Sequence, residues 1–171
     1  MPDGAPGWIE SLRRAERLPE SYVGSAVEYL APLAERIRAL RRDCGRPVIV
    51  GINGAQGSGK STLALFLSHW LRRETGLATA CLSIDDIYLT RAEREALSRD
   101  SQPLFATRGV PGTHDIGLGE RTLDVLTAGG PPRTVGLPAF DKGCDDRLPE
   151  AQWPRVEAPV DVVLFEGWCV G

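Results

Sequence analysis

The stretch that most constrains this chain runs from Pro47 to Leu63, PVIVGINGAQGSGKSTL. Within it, Gly54-Ala55-Gln56-Gly57-Ser58-Gly59-Lys60-Ser61 satisfies every fixed position of G-x-x-x-x-G-K-[ST]. An apolar, β-branched run precedes the loop (Val48, Ile49, Val50, Ile52), and an amphipathic segment follows it (Leu63, Leu65, Phe66, Leu67, Trp70, Leu71). That order of strand, glycine loop and helix is the context the motif requires. Polyphosphate needs several backbone N–H groups aimed at it from close range, which Gly54, Gly57 and Gly59 permit. A helix opening near Lys60, with Thr62 in its first turn, adds N-terminal N–H groups and a positive dipole end. Lys60 can reach the β- and γ-phosphates and the Ser61 hydroxyl can ligate Mg²⁺. The bland alternative is a glycine-rich turn before an ordinary helix, and a complete match in context outweighs it. The stretch implies a nucleoside triphosphate site, and by itself it does not separate a GTPase from an ATPase or a kinase.

Around this loop the chain reads as an α/β protein of the P-loop NTPase class, a three-layer αβα arrangement on a parallel sheet. Residues 1–46 are expected to form an N-terminal helical extension, and residues 47–171 the P-loop domain. A short helix is predicted around Ile9 to Arg17. A longer one spans Ser25 to Arg42, with apolar residues at Val27, Leu30, Leu33, Ile37 and Leu40. Pro32 predicts a kink or a fresh helix start. Beyond the loop helix, LATACLSI (Leu77 to Ile84) predicts a buried strand, Thr90 an N-cap for a helix over Arg91 to Arg99, and Leu118 to Leu126 another helix. Thr134 to Pro138 is a short strand candidate, Ala139 to Trp153 a charged loop, and Val160 to Gly167 a further buried strand. Ligands of such sheets sit outside the carboxyl ends of the strands, where Lys60, Asp85, Asp86 and Glu166 all fall.

Composition narrows the function. A formal charge of -3 and no basic stripe interleaved with aromatics argue against nucleic acid. No apolar run approaches a membrane span, and MPDGAPGWIE lacks a signal-peptide core. Four scattered cysteines without metal-ligand spacing read as free thiols of a cytoplasmic protein. Guanine-specific GTPases carry N-K-x-D, but the single asparagine is Asn53 and no D-x-x-G occurs. A small-molecule kinase instead needs a carboxylate for the acceptor hydroxyl, an acid near the metal and cations for an anionic acceptor. Asp85, just past a strand end, suits the first role, while Asp86 reads as a turn or cap residue. Glu166, after four apolar residues, suits a metal-linked acid together with Ser61. Asp161, at the other end of that strand, reads as structural. Acceptor candidates are Tyr88, then Arg108, His114 and Asp115 in RGVPGTHD, then Lys142 and Arg147 in AFDKGCDDR. Charged loop residues are usually only solvated, so these stand below the phosphate loop.

Four blocks together resemble one family. GINGAQGSGKST, LSIDDIY, RGVPGTHD and PAFDKGCDDR, followed by VVLFEGWCVG, are similar in sequence and order to the plant-type D-glycerate 3-kinases and their fungal and bacterial relatives. The family belongs to the P-loop kinase group of phosphoribulokinase, uridine kinase and pantothenate kinase. The resemblance implies transfer of the γ-phosphoryl group of ATP to D-glycerate with Mg²⁺, giving 3-phosphoglycerate. It implies Lys60, Asp85 and Glu166 as the catalytic set, with Asp85 as the group's catalytic carboxylate. Assigning Arg108, Lys142 and Arg147 to the acceptor carboxylate follows from charge, since Arg suits bidentate pairing.

Members of the family continue beyond the FEGWCVG block, whereas this chain stops at Gly171, so its domain is expected to be incomplete. An unpaired sheet edge beside the phosphate-loop strand and a missing lid are the expected consequences. A kinase for pantothenate or a nucleoside, and a nucleotide-binding remnant without turnover, stay open beside the glycerate reading. Mg²⁺-ATP is expected to raise the melting temperature under every reading. A coupled ADP-release assay separates them, since only a working kinase releases ADP when its acceptor is added.

Overall fold

A computed structural model describes residues 5–170. Its centre is a three-stranded parallel sheet in the order β1-β7-β2, from β1 (Val48–Asn53), β2 (Thr79–Ser83) and β7 (Val162–Gly167). β7 is the middle strand, with Leu164 opposite Val50 on one side and Cys81 on the other. Buried on both faces, it carries the near-continuous apolar run expected of an inner parallel strand. Among the described residues β1 pairs on one side only, and Ile49 is 51% exposed along that free edge.

Strand alternation then divides the core in two. Val162 and Leu164 face one way, against α1 (Gly7–Ala15), α2 (Tyr22–Cys44) and α3 (Lys60–Glu74). Ile9, Leu30, Ala34, Ile37, Phe66 and Leu67 close that layer. Val163 and Ala80 face the other way. They meet Leu126 of α5 (Ile116–Thr127) and an antiparallel pair, β3 (Arg133–Gly136) with β6 (Arg155–Ala158). The second outer layer is thus part helix and part antiparallel strand pair. A two-residue ladder, β4 (Phe140–Asp141) with β5 (Asp146–Arg147), and α4 (Arg91–Asp100) lie beyond the strand ends.

Three expectations need correction. Of the two outcomes expected at Pro32, a kink or a fresh helix start, the fresh start does not occur, since α2 runs through the proline as one helix. Burial of Leu30, Ala34 and Ile37 on either side of the proline holds the turn that its missing N–H weakens. Leu40, placed in the apolar stripe by spacing, is 48% exposed. β6 has no counterpart in the sequence reading: RVEA is short, charged and closed by prolines, and pairing with β3 is what makes it a strand. Among the described residues no helix is long and apolar enough to cross a membrane.

Because α2 shares its buried layer with the loop helix α3, truncating Leu30 to Ala is expected to destabilise the whole unit by about 2–5 kcal/mol. A single shifted urea transition checks this, whereas an unchanged midpoint would mean that α2 packs independently.

Candidate active site

The phosphate loop is shaped by its glycines. Gly57 and Gly59 have φ of +75° and +87°, in the left-handed region. A Cβ on Gly54 would sit 2.8 Å from Ser58 Oγ and 3.2 Å from Lys60 Cγ, so a side chain there would displace both loop residues. α3 starts on Gly59 without a side-chain cap, leaving its first N–H groups directed at the loop. Lys60 Nζ donates to Ala55 O within the loop at 3.1 Å. Ala55, Gln56 and Ser58 complete the exposed curve, and Thr62 is half-buried behind it.

β7 delivers the acidic residue beside this loop. Glu166 pairs in register with Ile52 and Ser83, one residue before the strand end, and is 8% exposed. Its Oε1 accepts a hydrogen bond from Ser61 Oγ at 2.8 Å. Two hard oxygen donors side by side suit Mg²⁺, which takes most of its ligands from phosphate and water. Among the described residues no group of three or more His, Cys, Asp or Glu could hold a metal.

Past β2 the chain makes a 3₁₀ turn, Ile84–Ile87, in which two adjacent aspartates take different parts. Ser83 Oγ accepts from Asp85 N at 3.2 Å, while the Asp86 carboxylate accepts from Ser83 N and Phe140 N, each at 3.3 Å. Burial pushes the Asp86 carboxyl up, opposed by those two backbone N–H groups. Asp86 thereby ties the turn to β4 and leaves Asp85 on the cleft. Asp85 Oδ2 lies 2.7 Å from Lys142 Nζ. Asp85, Lys60, Ser61 and Glu166 line one cavity of about 410 Å³ together with Tyr88, Arg108, Lys142 and Trp168. Burial holds the Tyr88 phenol above its ordinary value, and the Asp85 charge adds to the shift.

Arg108 is held at the cleft by Asp145, whose Oδ1 it contacts. Asp145 Oδ2 in turn accepts from Arg94 Nη2 at 3.0 Å. Arg94 is wholly buried and also donates to the carbonyls of Leu89, Ala106 and Asp145. Both guanidinium carbons lie 5.8 Å from the centroid of the Phe140 ring. Arg94 and Trp168 were not picked out by sequence reasoning. Arg94 sits in RAEREALSRD, where nothing marks one charge as buried, but Trp168 follows a strand end directly, and that position could have flagged it.

Three acceptor candidates stand behind the cleft and do not line it. Asp115 caps α5 through Leu118 N at 2.9 Å and pairs with Arg147 Nη1 at 3.1 Å. Arg147 also donates to Tyr88 O. His114 stacks on Tyr88 at 4.3 Å, and its buried Nε2 has no hydrogen-bond partner among the described residues. Asp161 pairs with Arg41 at 3.0 Å and accepts from Ala78 N at the far end of β7.

A phosphate loop between strand and helix, with carboxylates at the carboxyl ends of a parallel sheet, defines a P-loop NTPase fold of the kinase type. No protein-family model matches the chain. It is similar to an uncharacterised kinase, mug58, of Schizosaccharomyces pombe, with 41% identity over 134 residues, 74% of this chain and 48% of that one. It is similar to the chloroplastic D-glycerate 3-kinase of Arabidopsis thaliana, 39% identical over 135 residues, 73% of this chain and 29% of that one. The solved D-glycerate 3-kinase from Cryptococcus neoformans superposes with a TM-score of 0.68 at 30% identity, covering 81% of this chain and 51% of that one. More distant matches include bacterial pantothenate kinases at about 30% identity. The chain is a homologue of the D-glycerate 3-kinase-like P-loop kinases, and spans half or less of the length of the curated relatives it matches.

Replacing Arg94 with Met removes a buried cation from Asp145 and three carbonyls, and is expected to cost about 3–5 kcal/mol in a urea titration. Burial also holds the His114 imidazole below its ordinary value of 6.5, opposed by Asp85, and burial does the same for His69. The unfolded chain therefore takes up protons first as pH falls, so this stability is whole above 6.5 and declines below it. His114→Phe is expected to reduce that decline, read as urea midpoints between roughly pH 7.5 and 5.5.

Proposed function

We propose that this chain is the ATP-binding and acceptor-binding part of a kinase that phosphorylates a small anionic hydroxy acid, D-glycerate in particular. The observation that carries the reading is a shared cavity: Lys60, Asp85, Lys142 and Arg108 all line it. Lys60 and the loop N–H groups would hold the β- and γ-phosphates. Ser61 and Glu166 would hold Mg²⁺, which when bound neutralises charge developing on the transferring phosphoryl group. Asp85 would accept the proton of the acceptor hydroxyl as its oxygen bonds to the γ-phosphorus and ADP leaves. Lys142 and Arg108 would bind the acceptor carboxylate, Arg108 through the N–H groups that Asp145 does not occupy. The naming of two relatives as D-glycerate 3-kinases supports this acceptor. The free thiols of Cys44, Cys81, Cys144 and Cys169 suit a reducing compartment such as the cytoplasm.

Coupled ADP release with D-glycerate, pantothenate and a nucleoside tests the acceptor. D-Glycerate is expected to be preferred, and preference for either other compound overturns the assignment. Asp85→Asn is expected to slow transfer by about 10²- to 10⁴-fold while Mg²⁺-ATP still raises the melting temperature. Lys60→Met is expected to lose most of that thermal shift.

A further inference from the structure

Lysine is scarce in this chain. Of 20 basic residues only Lys60 and Lys142 are lysines, and both line the cleft. They serve opposite ends of it. Lys60 belongs to the phosphate loop, while Lys142 reaches across from the β4–β5 hairpin to Asp85, 2.7 Å away.

The two acceptor-side cations are held differently. Arg108 is fastened to Asp145, which the buried Arg94 anchors in turn. Lys142 has a fixed backbone, because Asp141 Oδ1 accepts from Gly143 N at 2.7 Å and Cys144 N at 3.3 Å. Its side chain, however, is 63% exposed, against 28% for Asp85. An exposed lysine–carboxylate pair is weak, and the ammonium can turn to another anion without any backbone movement. An acceptor whose hydroxyl meets Asp85 brings its own carboxylate within reach of the same ammonium.

We infer that Lys142 exchanges one carboxylate for another: it holds Asp85 until an anionic acceptor takes it, and so frees Asp85 for the acceptor hydroxyl. Lys142 is then a specificity-determining residue as well as a binding group. Water and neutral polyols carry no anion to draw the lysine away, so Asp85 stays engaged against them. This rests on the reading of the cleft as a site for an anionic hydroxy acid.

The test needs binding alone. With lysine Cε labelled by ¹³C, the chain gives two lysine side-chain signals, which Lys142→Met assigns. The Lys142 signal is expected to move when D-glycerate is added and to stay put with glycerol at equal concentration. Asp85→Asn is expected to displace the Lys142 signal with no ligand present, and to tighten D-glycerate binding about twofold to fivefold by calorimetry. In a Lys142→Met background that gain is expected to vanish. Persistence of the gain would mean that Asp85 repels the acceptor directly, and the exchange would be overturned. An unmoved Lys142 signal in Asp85→Asn would overturn it as well. If D-glycerate moves neither lysine signal while Mg²⁺-ATP still moves that of Lys60, the anionic-acceptor reading fails and takes the exchange with it.

Discussion

Everything in this molecule hangs on the pairing of β7 between β1 and β2. One end of the strand is tied by Asp161 to Arg41 of α2 and to the backbone N–H of Ala78. At its other end Gly167 O accepts from Gly54 N at 3.3 Å, and Glu166 accepts from Ser61. A parallel ladder brings all three strands to their carboxyl ends on the same side. The phosphate loop, the Asp85 turn and Glu166 therefore converge although 105 residues separate Ser61 from Glu166. A slip of one residue in this register would turn Glu166 away from the loop and put Val163 on the wrong face.

The acceptor side has little regular structure, and buried charge gives it form. Arg94 collects carbonyls from three segments and one side of Asp145, leaving Asp145 to face Arg108 with the other. Asp145 adopts φ +54°, a conformation tolerated by aspartate better than by most side chains. The cost of burying the Arg94 guanidinium is offset by a full set of acceptors, which makes the arrangement sensitive to loss of any partner. Lys142 and Arg108 come from different loops, and this network sets both loops against α4.

Local chemistry made the phosphate loop and the strands legible. A glycine pattern reports left-handed backbone and close approach, and the Val162–Leu164 run reports a strand buried on both faces. The turn role read for Asp86 is local chemistry too, since its carboxylate accepts from Ser83 N three residues before it. The Asp115–Arg147 pair could not be seen from sequence. In sequence both fall in stretches rich in Gly and charge, and their choice of each other over the cleft depends on how α5 meets the β4–β5 ladder. Arg94 was hidden for a related reason, since an arginine in a charged helix reads as solvated until its acceptors are found.

The sequence by itself determined that this chain carries a P-loop before a helix, alternates strands and helices, and places acids just past strand ends. Those features are set by φ preferences, hydrophobic periodicity and hydrogen-bonding groups within a few residues of each other. Only the tertiary structure decided that α2 passes through Pro32, that β6 is a strand, and which loop cations face the cleft. Each of these outcomes turns on contacts between segments far apart in the chain, where burial and charge pairing outweigh local preference.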